Sequence, residues 1–411
     1  MRELYSWNSA FNLIMEIKDL YNKCQIDKNN SNIKSIHGYS NIIEEWIDTL
    51  NIQKYKDFLN IVRINQENNL ILLKYDMIEA FKSDLYVNSN SVYRECRSLV
   101  IDIENECIVS CPFQKFFNID EVEDNKVENI IKEIANAKRV EVSNKLDCSM
   151  QTLVWYNESI FMFGSHSLNP SKSWRLSDGY KAITQEIKEM IHNHKNLTFI
   201  FENINLKDKK VVNYAKEQEG LYLIGIRNNL TGYQYSYTEC KIIADKYNIL
   251  ITELEDLSLD QILKIQKNAK GNEKEGFVVW IDGRLIKIKV DDYVKLHKIV
   301  GQYTSSKYII EAICNNTFDD FLILAPKQFH EEILNIASIV KDYCERANNY
   351  IDFCYNKAPK NNRKTFMIWT SENVEKEFEK YVRSKYLNQK YHVLKKNNRY
   401  RTIEEITASG E

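Results

Sequence analysis

A lysine in the setting of a covalent nucleophile stands at residue 145. Residues 145–149 read Lys-Leu-Asp-Cys-Ser and follow residues 139–144, whose apolar and polar residues alternate as in a half-buried strand. Residues 153–156 predict the next strand, so Lys145 is expected at a turn held by a sheet. A neutral lysine amine can attack phosphorus when burial or nearby positive charge lowers its pKa. Taken alone, such a pentapeptide more often marks a solvated strand end.

Two further lysines, Lys287 and Lys289, alternate within a later predicted strand. Glu275-Gly276 precedes a β-branched strand, and Asp282-Gly283 predicts a hairpin turn between that strand and the lysines. Alternation places both ammonium groups on one face, where they could bind a phosphate and depress the pKa of Lys145. The ordinary alternative is that these lysines form the solvated face of their strand.

Other residues that suit phosphate chemistry are spread along the chain. Glu202 ends the continuous apolar run at 197–203, which predicts a buried strand with a carboxylate at the sheet edge. Arg97 precedes an apolar strand, and guanidinium binds phosphate oxygens bidentately. A surface salt bridge between Arg97 and Glu95 is the alternative. Lys115 lies in Lys-Phe-Phe-Asn, where it supplies a point charge or extends from an aromatic core to solvent.

In this order, the stretches resemble the phage RNA ligase 1 family of ATP-dependent polynucleotide ligases, from about Leu70 to the C-terminal region. The resemblance implies that Lys145 attacks the α-phosphorus of ATP and becomes lysyl-AMP, with Glu202, Lys287 and Lys289 completing the catalytic set. It implies ATP and Mg²⁺ (or Mn²⁺) as cofactors. The implied nucleotide-binding residues are Tyr75, Arg97, Lys115, Lys145, Asp147, Glu275, Lys287, Lys289 and Tyr293. The implied metal-binding residues are Asp319, Glu202 and Glu275, directly or through water. For Tyr75 simple packing, and for Asp319 helix capping, are the alternatives.

Three positions depart from the family pattern. Cys148 stands where the family usually has glycine, whose backbone freedom and close ligand approach a Cβ makes costly. Phe163 and Ser165 stand where the family has lysines, one of which contacts ATP phosphates. Lys172 or Arg175, slightly downstream, would be the nearest replacements for that charge.

The composition bounds the class of protein. A chain of 411 residues with 44% hydrophobic and 12% aromatic residues can bury two or three cores. The net charge of -2 means that RNA must be bound by local basic patches. Nine scattered cysteines without a Cys-x-x-Cys pair predict reduced thiols, and no signal peptide or apolar span is apparent. We therefore expect a cytoplasmic protein with no membrane association and no obligate protein partner.

The predicted fold is α+β, with an antiparallel-sheet nucleotidyltransferase core. We predict a helical N-terminal extension at 1–69, the nucleotidyltransferase domain at 70–297 and an all-helical RNA-specificity domain at 298–411. Residues 381–401 carry seven Lys or Arg and no acidic residue, interleaved with tyrosines. This stretch either follows a phosphate backbone and stacks bases or forms a solvated helix.

The expected function is an enzyme that joins RNA 3′-OH and 5′-phosphate ends through lysyl-AMP and RNA-adenylate, as in the repair of RNA or of a nicked tRNA. One alternative is a GTP-dependent RNA capping nucleotidyltransferase, which uses the same lysine chemistry. The other is an RNA-end-binding protein that kept the fold and lost adenylation, which the residues at 148, 163 and 165 would explain.

Overall fold

The computed structural model describes residues 2–28, 39–208, 210–303, 305–325, 327–396 and 399–408. Contacts between Cα atoms divide the chain into two compact units, Met1–Leu296 and His297–Glu411. No helix in the described ranges combines the length and apolar character needed to cross a bilayer.

The first sheet of the N-terminal unit packs against the helices that precede it. Its strands, antiparallel in chain order, are β1 (Val62–Glu67), β2 (Leu70–Tyr75), β3 (Arg97–Asp102) and β4 (Cys107–Ser110). The helices are α1 (Ser9–Lys28), α2 (Ile42–Leu50), α3 (Gln53–Ile61), α4 (Met77–Ala80) and α5 (Val92–Glu95). Phe11, Ile43 and Phe58 from these helices share one core with Ile71 and Leu99. The predicted helical extension at 1–69 therefore ends in a strand. Val62–Glu67 pairs with the apolar strand β2 that follows it.

A second, three-stranded sheet carries Lys145. It has the antiparallel order β11-β10-β5, with β5 (Val140–Lys145), β10 (Gly276–Ile281) and β11 (Arg284–Lys289). Helices α6 (Val127–Asn136) and α10 (Leu259–Asn268) cover one face, where Ile130 and Ile262 meet Val279 and Ile288. The predicted hairpin is confirmed: Asp282 and Gly283 both have positive φ, as a two-residue turn of this kind requires.

A third sheet has four strands and carries Glu202. Its antiparallel order is β7-β6-β8-β9, with β6 (Ser149–Tyr156), β7 (Ser159–Gly164), β8 (Leu197–Ile204) and β9 (Gly220–Asn228). Helices α7 (Trp174–Lys181), α8 (Gln185–Asn193) and α9 (Tyr237–Lys246) surround it. Residues 247–258 lie between α9 and α10 in extended and turn conformations. There Ile251 bridges to Leu223 and Leu254 to Ser143.

The C-terminal unit is helical apart from one short pair of strands among its described residues. Its elements are the end of α11 (Asp291–Tyr303), then α12 (Ser306–Cys314), α13 (Phe318–Leu324), α14 (His330–Lys357), α15 (Arg363–Asn373), α16 (Glu379–Tyr386), β12 (Lys395–Lys396), β13 (Arg399–Tyr400) and α17 (Ile403–Ala408). Tyr381 is buried, and Tyr386 stacks on Phe366 with ring centroids 4.0 Å apart. The basic stretch 381–401 is thus not a continuous helix, and these two rings pack inside the unit.

Candidate active site

One face of the second sheet carries three rows of cross-strand partners. The residues change from charged to apolar from the first row to the third. The register aligns Lys145 with Gly276 and Lys289, then Ser143 with Val278 and Lys287, and finally Glu141 with Trp280 and Leu285. Alternate residues of a strand share a face, so all three lysines lie on the side away from the Ile130 and Ile262 core. This is the face predicted for Lys287 and Lys289.

Glu275 lies between two of the lysines. Its Oε1 is 2.7 Å from Lys145 Nζ and 2.9 Å from Lys289 Nζ, and its side chain is 3% exposed. Gly276 makes this arrangement possible, because a Cβ there would lie 2.1 Å from the carbonyl oxygen of Ile288. Burial of this carboxylate is therefore offset by two ammonium groups, and its pKa is lowered because the attraction of Lys145 and Lys289 outweighs burial.

The pKa values of the lysines differ from expectation. Burial lowers the pKa of Lys145, but the charges of Glu275 and Glu202 outweigh it, so that the pKa of Lys145 is raised. Burial, followed by repulsion from Arg97 and Lys115, lowers the pKa of Lys287 well below its ordinary value. The prediction that Lys287 and Lys289 depress the pKa of Lys145 is wrong for the unliganded protein, because Glu275 stands between the ammonium groups.

Glu202 is a second buried carboxylate beside Lys145. It lies on β8 opposite Met150, and its Oε1 accepts a 2.7 Å hydrogen bond from the backbone N–H of Cys148. Burial raises the pKa of Glu202 to about 7, although the charge of Lys145 opposes that rise. We call Lys145, Glu202, Glu275, Lys287 and Lys289 the charged cluster. Two carboxylates with opposite pKa shifts in one site suit separate roles in proton transfer and charge balance.

Asp147 and Tyr293, implied as nucleotide contacts, fix the loop after Lys145. Asp147 Oδ1 accepts a 2.8 Å hydrogen bond from Tyr293 Oη, and its Oδ2 accepts from the N–H groups of Val211 and Val212 at 3.0 and 3.1 Å. Asp147 and Tyr293 are 5% and 1% exposed. Cys148, within this loop, does not have positive φ, so its backbone is open to residues with a Cβ.

The remaining cations lie at the edge of the charged cluster. Arg97 lines the cavity that Lys145, Lys287 and Lys289 also line. Its guanidinium lies 5.0 Å from the Phe116 ring centre. Lys115 is buried, with Nζ 3.7 Å from Glu121 and 5.9 Å from the ring centre of Tyr75. Lys115 lines a neighbouring cavity, and Tyr75 packs beneath it. Neither one lines the cavity of Lys145.

The Arg97–Glu95 salt bridge, the alternative to a phosphate-binding role for Arg97, does not form. Glu95 instead makes a buried bidentate pair with Arg227 on β9, with both N–O distances 2.9 Å. Arg97 donates to the carbonyl oxygen of Gln114 at 3.4 Å. Its charge therefore remains available to a ligand.

The structure shows what surrounds Phe163 and Ser165, which stand where the family has lysines. Phe163 is 1% exposed and closes a core with Leu70, Leu72 and Val154. The carbonyl oxygen of Ser165 accepts a 2.9 Å hydrogen bond from Ser98 Oγ. The suggested replacements are engaged elsewhere.

Lys172 and Arg175 are each held by a carboxylate. Lys172 pairs with Glu67 at 2.8 Å, and Arg175 forms two 2.8 Å hydrogen bonds with Asp208. Neither one lines the cavity of Lys145.

Sequence reasoning missed most of the apolar side of this cavity of about 270 Å³. We call its principal members the apolar wall: Phe113, Phe116, Leu223, Trp280 and Leu285. Phe113 fits against Gly225, where a Cβ would lie 2.4 Å from its ring. Trp280 Nε1 is buried and has no hydrogen-bond partner. Trp280 and Leu285 could have been found from strand alternation with Lys287, whereas Phe113 and Leu223 come from distant segments without a motif.

The implied metal ligands come from both units of the chain. Glu202 and Glu275 both flank Lys145, whereas Asp319 is exposed in the first turn of α13 in the C-terminal unit. No group of three or more His, Cys, Asp and Glu side chains arranged for a metal occurs in the described ranges. Two carboxylates fit Mg²⁺ that is held mainly by substrate phosphates and water.

Comparison with known proteins finds similarity to RNA ligases. Residues 95–297 match the family model described as RNA ligase. The chain is 26% identical over 306 residues to a protein of Autographa californica nuclear polyhedrosis virus named "Putative bifunctional polynucleotide kinase/RNA ligase". That match covers 69% of this chain and 40% of the relative, so the chain spans well under half of the relative's length.

Solved structures with similarity include ligases from two further sources. An archaeal ATP-dependent RNA ligase aligns with 12% identity and a TM-score of 0.46, over 81% of this chain and 90% of that one. The Naegleria gruberi RNA ligase solved with ATP and Mn aligns with 20% identity and a TM-score of 0.33, over 42% and 56%. The family match covers β3 to α11 and includes Arg97, Lys145, Glu202, Glu275, Lys287 and Lys289. Through this region, just under half of its length, the chain is similar to the RNA ligase family.

Proposed function

We propose that this chain is an ATP-dependent RNA ligase with Lys145 as its nucleophile. The observation that carries the proposal is the placement of Lys145 in the three rows of the second sheet with Lys287 and Lys289, beside two buried carboxylates. A solvated strand end, the ordinary alternative, would not bury a carboxylate between two lysines. The match of residues 95–297 to the family model described as RNA ligase supports the same chemistry.

In the first step, deprotonated Lys145 Nζ attacks the α-phosphorus of ATP. The new N–P bond forms as the bond to the bridging oxygen breaks, which yields lysyl-AMP and pyrophosphate. Lys287 and Lys289 would stabilise charge on the phosphate oxygens. Glu202, whose pKa is raised to about 7, is the group able to take up a proton near neutral pH.

The remaining steps transfer AMP and seal RNA. A 5′-phosphate oxygen of RNA attacks the phosphorus of lysyl-AMP, and the Lys145 amine leaves. An RNA 3′-OH then attacks the activated 5′-phosphate, which forms the phosphodiester and releases AMP. Mg²⁺, held by ATP phosphates together with Glu202 or Glu275, would neutralise phosphate charge.

The adenine ring of ATP would lie against the apolar wall. Trp280 Nε1 offers it an unused hydrogen-bond donor, and Val278 forms the floor of the middle row. Burial of a polar donor without a partner costs free energy, so a ligand acceptor at this position is favoured.

The substrate is proposed more broadly than the chemistry. RNA with a 5′-phosphate and a 3′-OH, such as a tRNA nicked in its anticodon loop, is the substrate class that fits ligation. We assign RNA specificity to the helical C-terminal unit and place the enzyme in the cytoplasm. Asp319 in that unit stays a predicted metal ligand.

The test is the intact-protein mass after incubation with ATP and Mg²⁺, starting from protein freed of bound AMP. We expect wild type to gain one AMP and Lys145→Arg, which keeps the charge beside Glu275, to gain none. Lys172→Arg, outside the cavity, serves as the matched control and should gain one AMP. Adduct with GTP alone would indicate the capping reaction, and no adduct with either nucleotide would favour an RNA-end-binding protein.

A further inference from the structure

Lys74 is a partly buried cation without an anionic partner. It forms no ion pair and no hydrogen bond from its side chain within the part of the chain that the structure describes. Its charged neighbours Arg97 and Lys115 repel it, and burial followed by this repulsion lowers the pKa of Lys74 to about 8. Like charges gathered in a poorly solvated place are unfavourable unless an anion joins them.

The register of the first sheet, which shifts at Lys74, places this residue beside the nucleotide cavity without lining it. Lys74 pairs with Arg97 across β2 and β3, and paired residues of antiparallel strands point to the same face. On β2 that face continues from Leu70 and Leu72, which pack against Phe163. Lys74 therefore lies at the end of the row that Phe163 closes, beside the Arg97 that lines the cavity.

The charges form a chain that leads away from Lys145. The pKa of Lys287 is lowered by burial and then by Arg97, Lys115 and Lys145, and that of Lys74 by burial and then by Arg97 and Lys115. His166 offers no anion to Lys74, because a histidine side chain is either neutral or positively charged, and burial followed by Lys74 lowers its pKa. A polyanion is therefore the class of ligand that this group of cations favours.

We propose that Lys74 binds the β- and γ-phosphates of ATP, the portion that leaves as pyrophosphate. This inference rests on the proposed function. It gives the triphosphate a cation on the first sheet, since neither Phe163 in β7 nor Ser165 after it carries a charge. A point charge of this kind stabilises the phosphates through charge-assisted hydrogen bonds.

The experiment compares nucleotides that differ only in those phosphates. Binding of α,β-methylene-ATP, which cannot react at the α-phosphorus, and of AMP is measured by calorimetry for the full chain. We expect Lys74→Met to weaken α,β-methylene-ATP binding by about 10-fold or more and AMP binding by less than about twofold. Lys74→Arg should retain most of the affinity, and Lys172→Met, a lysine already paired with Glu67, should match wild type.

A second assay shows that the variant is folded and separates the two proposals. Lys74→Met should seal RNA carrying a pre-formed 5′-adenylate at the wild-type rate, since pyrophosphate takes no part in that step. Equal binding of α,β-methylene-ATP by wild type and Lys74→Met, or a parallel loss of AMP binding, would overturn the role of Lys74 while leaving the ligase proposal intact. Wild type that binds neither nucleotide would overturn both.

Discussion

The charged cluster and the apolar wall line one cavity, yet they are assembled in different ways. In the charged cluster, Glu275 is shared by Lys145 and Lys289, and Glu202 is fixed by the backbone N–H of Cys148. In the apolar wall, Phe113 and Leu223 come from separate parts of the chain and fit by shape. Buried charge demands specific partners at fixed positions, whereas an apolar surface only demands volume. We therefore expect substitutions in the cluster to cost more than substitutions in the wall.

The largest effect is expected from Glu275→Gln. Loss of the carboxylate leaves Lys145 and Lys289 without their shared anion, and breaking a buried ion pair costs about 3–5 kcal/mol. We expect the free energy of unfolding in urea to fall by about 4 kcal/mol at neutral pH. The matched control, Glu273→Gln, removes an exposed pair with Lys270 and should change it by less than about 1 kcal/mol. Equal losses would show that the cluster does not depend on this pairing.

Glu202→Gln tests the other carboxylate through pH. The pKa of Glu202 is raised from 4.5 to about 7, so the folded protein holds a proton that the unfolded chain releases. Stability contributed by the protonated form is present below pH 4.5 and is lost as the pH rises through about 7. As the pH rises from 5 to 8, the free energy of unfolding of Glu202→Gln should therefore increase by about 2–3 kcal/mol relative to that of wild type, measured by urea unfolding. A difference that does not vary with pH would contradict the raised pKa.

Gly225→Ala should produce an intermediate effect in the apolar wall. The added Cβ would meet the Phe113 ring at 2.4 Å, and overpacking of this kind costs about 1–3 kcal/mol. We expect a lower melting temperature and weaker ATP binding, because Phe113 must shift. Gly301→Ala, in α11 with no heavy atom within 4 Å of the new Cβ, should instead maintain or raise the melting temperature. If Gly225→Ala changed neither the melting temperature nor ATP binding, the apolar wall would be loosely packed.

The smallest effect is expected from Trp280→Phe. This change removes an N–H that has no partner in the unliganded protein, and one hydrogen bond to a ligand contributes about 1 kcal/mol. ATP affinity measured by calorimetry should fall about fivefold. Trp174→Phe, at an exposed position outside the cavity, should leave the affinity unchanged. Unchanged affinity in both variants would show that the base does not bond to Trp280.

The same contrast explains what could be predicted from the sequence. Lys145, Glu202, Lys287 and Lys289 could be placed together because each ends or alternates along a recognisable strand. The Glu95–Arg227 pair could not, since the partners are 132 residues apart and Arg97 is a nearer cation. The direction of the Lys145 pKa shift also escaped prediction, because it depends on where the Glu275 carboxylate lies between neighbouring ammonium groups. Lys74 carries no motif, and only the pairing of β2 with β3 shows its position.

Glu275 also serves as the built-in counterion of Lys145 and Lys289. The anion beside Lys145 and Lys289 is tethered to the chain, so a nucleotide exchanges with a covalently held counterion rather than with dissolved chloride. A tethered group acts at a high effective concentration, which dilute monovalent anions cannot match. Binding at Lys145 should therefore favour polyanions and release few salt ions, so that the site stays closed to the common anions of its surroundings.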